Sequence, residues 1–188
     1  MTWPRNALLL LLVLSLALPA CGFRLRGAVD LPPAMEHAAA EGVAQYSALG
    51  EALARSWQQS GGRLDFDADA ESARTRLTIT RDDLSRRTLS VDSAGRPNEY
   101  QLTYKVAFEL FDADGEPLME SQSVSVNRAY QFNPDNSLAM ADEEERLEQI
   151  LAEEAAVQML RRITFQLRQS AKTPSPSTPA ERDDETAR

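Results

Sequence analysis

Two close pairs of aspartates, one histidine and one cysteine are the residues of this chain whose types could do chemistry. The aspartates are Asp82 with Asp83 and Asp112 with Asp114, and paired carboxylates can serve general acid–base catalysis. Both pairs lie where the sequence predicts bends, so turn formation is the better explanation. Because His37 and Cys21 are the only residues of their types, no Cys/His metal cluster is expected. The sequence predicts no enzyme, no cofactor and no metal site.

Cys21 stands where its surroundings imply a covalent modification. Arg5 precedes an apolar run from Ala7 to Leu18, and Leu-Pro-Ala-Cys-Gly closes that run. This order is typical of a secretory signal peptide, and the run is shorter than the ~20 residues of a membrane-spanning helix. It also resembles a bacterial lipobox, whose cysteine becomes the acylated first residue. We expect a signal peptide over residues 1–20 and lipidation of Cys21; the alternative is secretion with a free thiol.

The remainder of the chain is acidic and long enough for one domain with a core. The whole chain has 20 basic and 29 acidic residues and a formal net charge of −9; without Arg5 of the signal peptide, 19 basic and 29 acidic residues leave −10. No long basic stretch indicates nucleic-acid binding, and the acidity disfavours loose adhesion to an anionic membrane. We expect a lipidated N-terminus and linker over residues 21–34, a single domain over 35–170, and a disordered, proline-rich tail over 171–188.

Residues from Ser47 to Ser60 are predicted to form a helix. Leu49, Leu53 and Trp57 recur at the i, i+4 and i+8 positions of one helical face. Ser47 can cap the start, and two glycines follow the end.

A longer helix is predicted from Ala141 to Leu167. Asp142 and Glu145 have the spacing of an N-cap and its capping-box partner. Apolar residues spread around the cylinder in the second half, which indicates burial on more than one side. Either the protein's own sheet or a partner protein could cover them.

Strands dominate between Arg74 and Phe132. From Tyr100 to Leu110, six apolar residues occupy alternate positions, which predicts one buried face. Turns are predicted at 93–97 and 112–115, so three strands follow one another as a meander, with a bulge or bend of the first at Asp82-Asp83. The last strand carries polar, uncharged residues on its other face, which either water or a partner covers. They are Ser121, Ser123, Ser125 and Asn127.

Four stretches together resemble the LPS-assembly lipoproteins of the LptE family. They are Cys21–Gly27, Ala94–Gln101 with its Glu-Tyr-Gln, Arg128–Pro134, and the acidic start and alanine-rich body of Ala139–Ile163. The resemblance implies an α/β (α+β) two-layer sandwich, with two helices on a four-stranded mixed sheet in the order β-α-β-β-β-α. It also implies that Met35 to Ala40 is the first strand, although its local composition favours a helix.

The resemblance further implies a lipid-anchored protein on the periplasmic side of the outer membrane. It would plug the LptD β-barrel one-to-one and take part in assembling lipopolysaccharide in the outer leaflet. Arg96 and Arg128 are the candidates for binding lipopolysaccharide phosphates; the alternative is that they are ordinary surface charges. Candidate partner contacts are Ser93, Gly95, Asn98, Ser121, Ser123 and Ser125. A second hypothesis is a stand-alone envelope lipoprotein that binds a small lipid or scaffolds other proteins.

Overall fold

The computed structural model describes residues 29–66 and 73–171. The strands are β1 (His37–Glu41), β2 (Arg63–Asp65), β3 (Thr75–Val91), β4 (Pro97–Asp112) and β5 (Pro117–Gln131), and the helices are α1 (Ala48–Gln59) and α2 (Ser137–Ser170). The predicted signal peptide, Cys21 and the tail beyond residue 171 lie outside the described residues.

One sheet with the order β2-β1-β3-β4-β5 carries both helices. β1 runs parallel to β2 and β3, whereas β3, β4 and β5 are antiparallel. Both helices share one core with the sheet, so the two-layer prediction is confirmed. The predicted count of four strands is corrected to five, because Arg63–Asp65 adds a short parallel strand. Three residues are too few to show an alternating pattern.

β1 explains why an alanine-rich segment is extended. His37–Glu41 lies between two neighbouring strands, and Ala38, Ala39 and Ala40 are all buried. Tertiary burial on both sides therefore overrides a local preference for helix. Met35, placed in the predicted first strand, instead ends a single 3-10 turn and is fully buried.

α1 forms as its sequence predicts. The Ser47 hydroxyl accepts a hydrogen bond from the Gly50 N–H at 3.1 Å, which caps the first turn. Leu49, Leu53 and Trp57 are fully buried, and the Trp57 Nε1–H donates to the Met35 carbonyl at 3.0 Å. The helix therefore fixes the segment that leads into β1.

α2 begins earlier than predicted. It starts at Ser137 behind a 3-10 turn over Pro134–Asn136, so Asp142 lies inside the helix and the predicted capping box is wrong. The residues before Asp142 are good helix formers, and the turn lets them join the helix without that cap. Its wide apolar surface is buried within the protein, against the sheet and α1. The fully buried residues include Leu151, Ala155, Met159 and Ile163.

The long antiparallel strands give the molecule two ends. We call the end where the described chain begins the proximal end. There, the Val29 N–H donates to the Ser60 hydroxyl at 3.2 Å, and the Arg74 N–H donates to the His37 carbonyl at 3.0 Å. β3 then runs about 55 Å, at ~3.3 Å per residue, to the distal turn, Asp92–Asn98. Its pairing with β4 shifts between Ile79 and Arg81, so the irregularity falls just before the predicted site at Asp82-Asp83.

A cluster of aromatic and charged side chains holds α2 to the distal half of the sheet. Arg86 donates to the Glu144 carboxylate at 2.5 Å and lies 4.7 Å above the ring of Tyr100. The Tyr130 hydroxyl donates to the same carboxylate, and Phe132 meets Tyr100 edge-on at 5.0 Å. These contacts join β3, β4, β5 and α2 just behind the distal turn.

Removing the Tyr130 hydroxyl should weaken this cluster and change the alkaline stability. Burial, helped by the Glu144 carboxylate, raises the pKa of Tyr130 from 10.0 to about 12. The stabilisation that the protonated Tyr130 hydroxyl provides is therefore complete below about pH 10 and is lost as the pH rises through about 12. Tyr130→Phe should lower the free energy of unfolding by about 1 kcal/mol at neutral pH and flatten its fall above pH 10, measured by urea denaturation. Burial also raises the pKa of Tyr104, so part of the fall should remain; a fall identical to wild type would contradict the assignment.

Candidate partner and anion-binding surfaces

The outer sheet face, on the side away from the helices, is polar across β3, β4 and β5. Arg87 donates to the Gln101 side chain at 2.8 Å, and Gln101 donates to Asn127 at 3.1 Å. Four residues further along β4, Lys105 lies between Asp83 and Ser125. Side chains of both charges therefore alternate with amides and hydroxyls on a surface that is largely open to solvent.

The predicted serine row lies on this side of β5 only in part. Ser123 and Ser125 are exposed and pair in register with β4. Ser121 is also exposed, but it lies where the β4–β5 register shifts between Phe108 and Leu110, so it does not continue their regular spacing. The Ser123 carbonyl accepts a hydrogen bond from Arg162 at 2.5 Å, which ties α2 to the outer edge of β5.

The distal turn presents Ser93, Gly95 and Asn98 to solvent. Asp92 organises the turn, because its carboxylate accepts from the Ala94 N–H at 2.8 Å and the Arg96 N–H at 2.9 Å. These hydrogen bonds, together with the Arg96 guanidinium, lower the pKa of Asp92. Gly95 has φ +77, a conformation that favours glycine.

Arg96 and Arg128 do not come together in the structure. Arg96 forms an ion pair with Asp92 at 2.8 Å inside the distal turn. Arg128 lies on the helix side of β5 and pairs with Glu154 of α2. Both ion pairs are half-exposed, and such pairs contribute only about 0–1 kcal/mol. A phosphate group could therefore replace either carboxylate at small cost.

The cluster of Arg86, Tyr100, Tyr130, Phe132 and Glu144, which we call the distal cluster, is the feature that sequence reasoning did not identify. The one sequence signal for this cluster was that its aromatic residues lie within the stretches that resemble the LptE family. These residues are Tyr100, Tyr130 and Phe132. Their contacts with Arg86 and Glu144 depend on the tertiary pairing of four elements. In the structure, these residues pack together next to the distal turn.

A groove of about 570 Å³ lies between the start of α1 and α2. Arg55 crosses it, pairing with Glu51 at 3.2 Å and with Glu153 at 3.1 Å, and Glu145 and Glu148 line it further. Among the described residues, no group of three or more carboxylate, histidine or cysteine side chains could hold a metal ion. This acidic groove also lacks the apolar lining that a lipid tail requires.

Comparison with known proteins identifies the family. The model of the family LptE, described as "Lipopolysaccharide-assembly", matches residues 39–163. The LPS-assembly lipoprotein LptE of Pectobacterium atrosepticum is 28% identical over 155 residues, covering 81% of this chain and 83% of the relative. The protein of the same name from Yersinia enterocolitica is 29% identical over 157 residues, covering 83% and 74%.

Solved structures support the same fold. The solution structure of lipoprotein B from Nitrosomonas europaea matches with a TM-score of 0.59 and 28% identity, covering 80% of this chain and 94% of that one. The rare lipoprotein B of Shewanella oneidensis shares the fold at a TM-score of 0.59 and 23% identity, covering 72% and 98%. Within residues 29–66 and 73–171, no helix has both the length and the apolar character needed to cross a bilayer. Because the family model covers well over half of the sequence, the chain belongs to the LptE family of lipopolysaccharide-assembly lipoproteins.

Proposed function

We propose that this protein is a lipid-anchored outer-membrane lipoprotein that plugs the LptD β-barrel and takes part in placing lipopolysaccharide in the outer leaflet. The observation that carries this proposal is the polar outer face of a sheet whose helix-facing side carries the apolar core. The lumen of an outer-membrane barrel is polar, so a plug must offer hydrogen-bonding groups rather than an apolar surface. Lys105, Ser123, Ser125 and Asn127 offer such groups across two strands.

The length of the domain fits a position inside a membrane-embedded barrel. The eight Cα–Cα steps from Cys21 to Val29 span at most about 28 Å, which keeps the proximal end near an acylated Cys21. The distal turn lies about 50 Å from that end, judged from the 34 residues of α2 at ~1.5 Å each. This exceeds the ~30 Å hydrocarbon core. A plug anchored in the inner leaflet can therefore bring its distal turn to the level of the outer leaflet.

Two glycine variants separate contact with the barrel from simple loss of stability. Gly95 and Gly115 occupy equivalent hairpin turns with φ +77 and +86, and a Cβ atom at either would meet nothing within 4 Å. Each change to alanine should therefore cost a similar ~1–2 kcal/mol of backbone strain. We expect Gly95→Ala to reduce recovery of the barrel in an outer-membrane pull-down, and Gly115→Ala to leave it unchanged. Equal recovery with both variants would remove the distal turn from the interface.

The same proposal assigns Arg96 and Arg128 to lipopolysaccharide phosphates. A hydrogen bond to a charged group contributes about 1.5–3 kcal/mol, so Arg96→Gln with Arg128→Gln should weaken lipopolysaccharide binding at least about tenfold. Arg55→Gln is the matched control, because Arg55 is also exposed and paired with glutamates. Fluorescence titration with lipopolysaccharide measures the affinities. Equal affinities for the double variant and wild type would assign both arginines to surface charge alone.

A further inference from the structure

The charges of α2 are segregated along its length. Residues 137–154 contain seven acidic residues and one arginine, whereas residues 155–170 contain three arginines and no acidic residue. A helix dipole favours basic residues only in the last turn. It can account for Arg168, but Arg161 and Arg162 lie more than two turns before the end of the helix. Arg162 donates to the Ser123 carbonyl, so it is the position of Arg161 that needs another explanation.

Four residues of this basic half form one outward stripe. Val157, Arg161, Phe165 and Arg168 are spaced by four, four and three residues, which places them on the same helical face. Phe165 is 61% exposed, and both arginines are exposed. The Arg161 guanidinium makes no hydrogen bond or ion pair with the part of the chain that the structure describes. The stripe therefore joins an uncovered aromatic ring to positive charge.

The stripe lies at the proximal end, where the chain leads back to Cys21. Arg168 donates to the Asp30 carbonyl at 2.8 Å, so the last turns of α2 contact the start of the described chain. Since residues 21–29 reach at most about 28 Å, acylation of Cys21 would hold this end of the helix close to the bilayer. This step rests on the lipid anchor of the proposed function.

We propose that the stripe of Val157, Arg161, Phe165 and Arg168 lies on the membrane surface and binds anionic phospholipid headgroups. Arginine forks bind phosphate oxygens well, and aromatic rings are enriched at the level of the lipid headgroups. The acidic first half of α2 is repelled by the same surface. The segregated charges thus orient the domain, with the basic end toward the anchoring leaflet and the distal turn away from it.

A unique thiol in the full lipidated chain can test this orientation. Because Cys21 is the only cysteine and is consumed by acylation, Phe165→Cys adds a single site for a fluorescent label. The matched control is Val91→Cys, at an equally exposed residue, 58%, close to the distal turn. Both labelled proteins are reconstituted into vesicles of phosphatidylethanolamine with phosphatidylglycerol that contain a spin-labelled quencher lipid.

We expect strong quenching of a label at position 165 and little quenching at position 91. The difference should disappear at high salt, and also in a variant that combines Arg161→Gln with Arg168→Gln. Equal quenching at both positions, or quenching that persists without phosphatidylglycerol, would overturn the proposal. Protection of position 165 by a β-barrel protein in intact outer membranes would overturn it too. Radiolabelled palmitate is followed in parallel. Palmitate on Cys21 without quenching would refute only the stripe, whereas absence of palmitate from Cys21 would refute the anchor on which the stripe's position rests.

Discussion

Burial of one face of β4 beneath α2 is the interaction on which the structure depends. Val106, Phe108 and Leu110 are fully buried, and each such side chain contributes about 1.5–3 kcal/mol. Leu151 and Met159 of α2 close the core from above. Side chains alternate between the two faces along a strand, so the neighbours of each inward-facing residue face outward. A sheet covered by helices on one face only is left with a second face that water or a partner must solvate.

The distal half of the sheet meets a different requirement. α1, β1 and β2 lie toward the proximal end, so α2 alone covers the distal strands. Aromatic packing and the shared Glu144 carboxylate replace a wide apolar core there. This arrangement packs the strands next to the distal turn, while the turn itself remains exposed.

Local signals predicted much of this fold, and long-range packing determined the rest. The Ser47 cap, the apolar spacing of α1 and the alternation in β4 are local patterns, and the structure confirms them. β2 was not predicted because three residues are too few to show the alternation of a strand. α2 starts earlier than predicted because good helix formers precede the capping pattern at Asp142. The polarity of the outer sheet face was readable from sequence. The pairing of Arg128 with Glu154 was not, because 26 residues separate the two.

The central claim is that this lipoprotein occupies the lumen of one partner barrel. Purification of a tagged chain from outer membranes solubilised in mild detergent, with identification and quantification of the co-eluting proteins, tests it most directly. The account predicts a single large β-barrel protein of the LptD type at one-to-one stoichiometry. Recovery of the lipoprotein alone, as a stable monomer, would contradict the account and favour a stand-alone envelope lipoprotein.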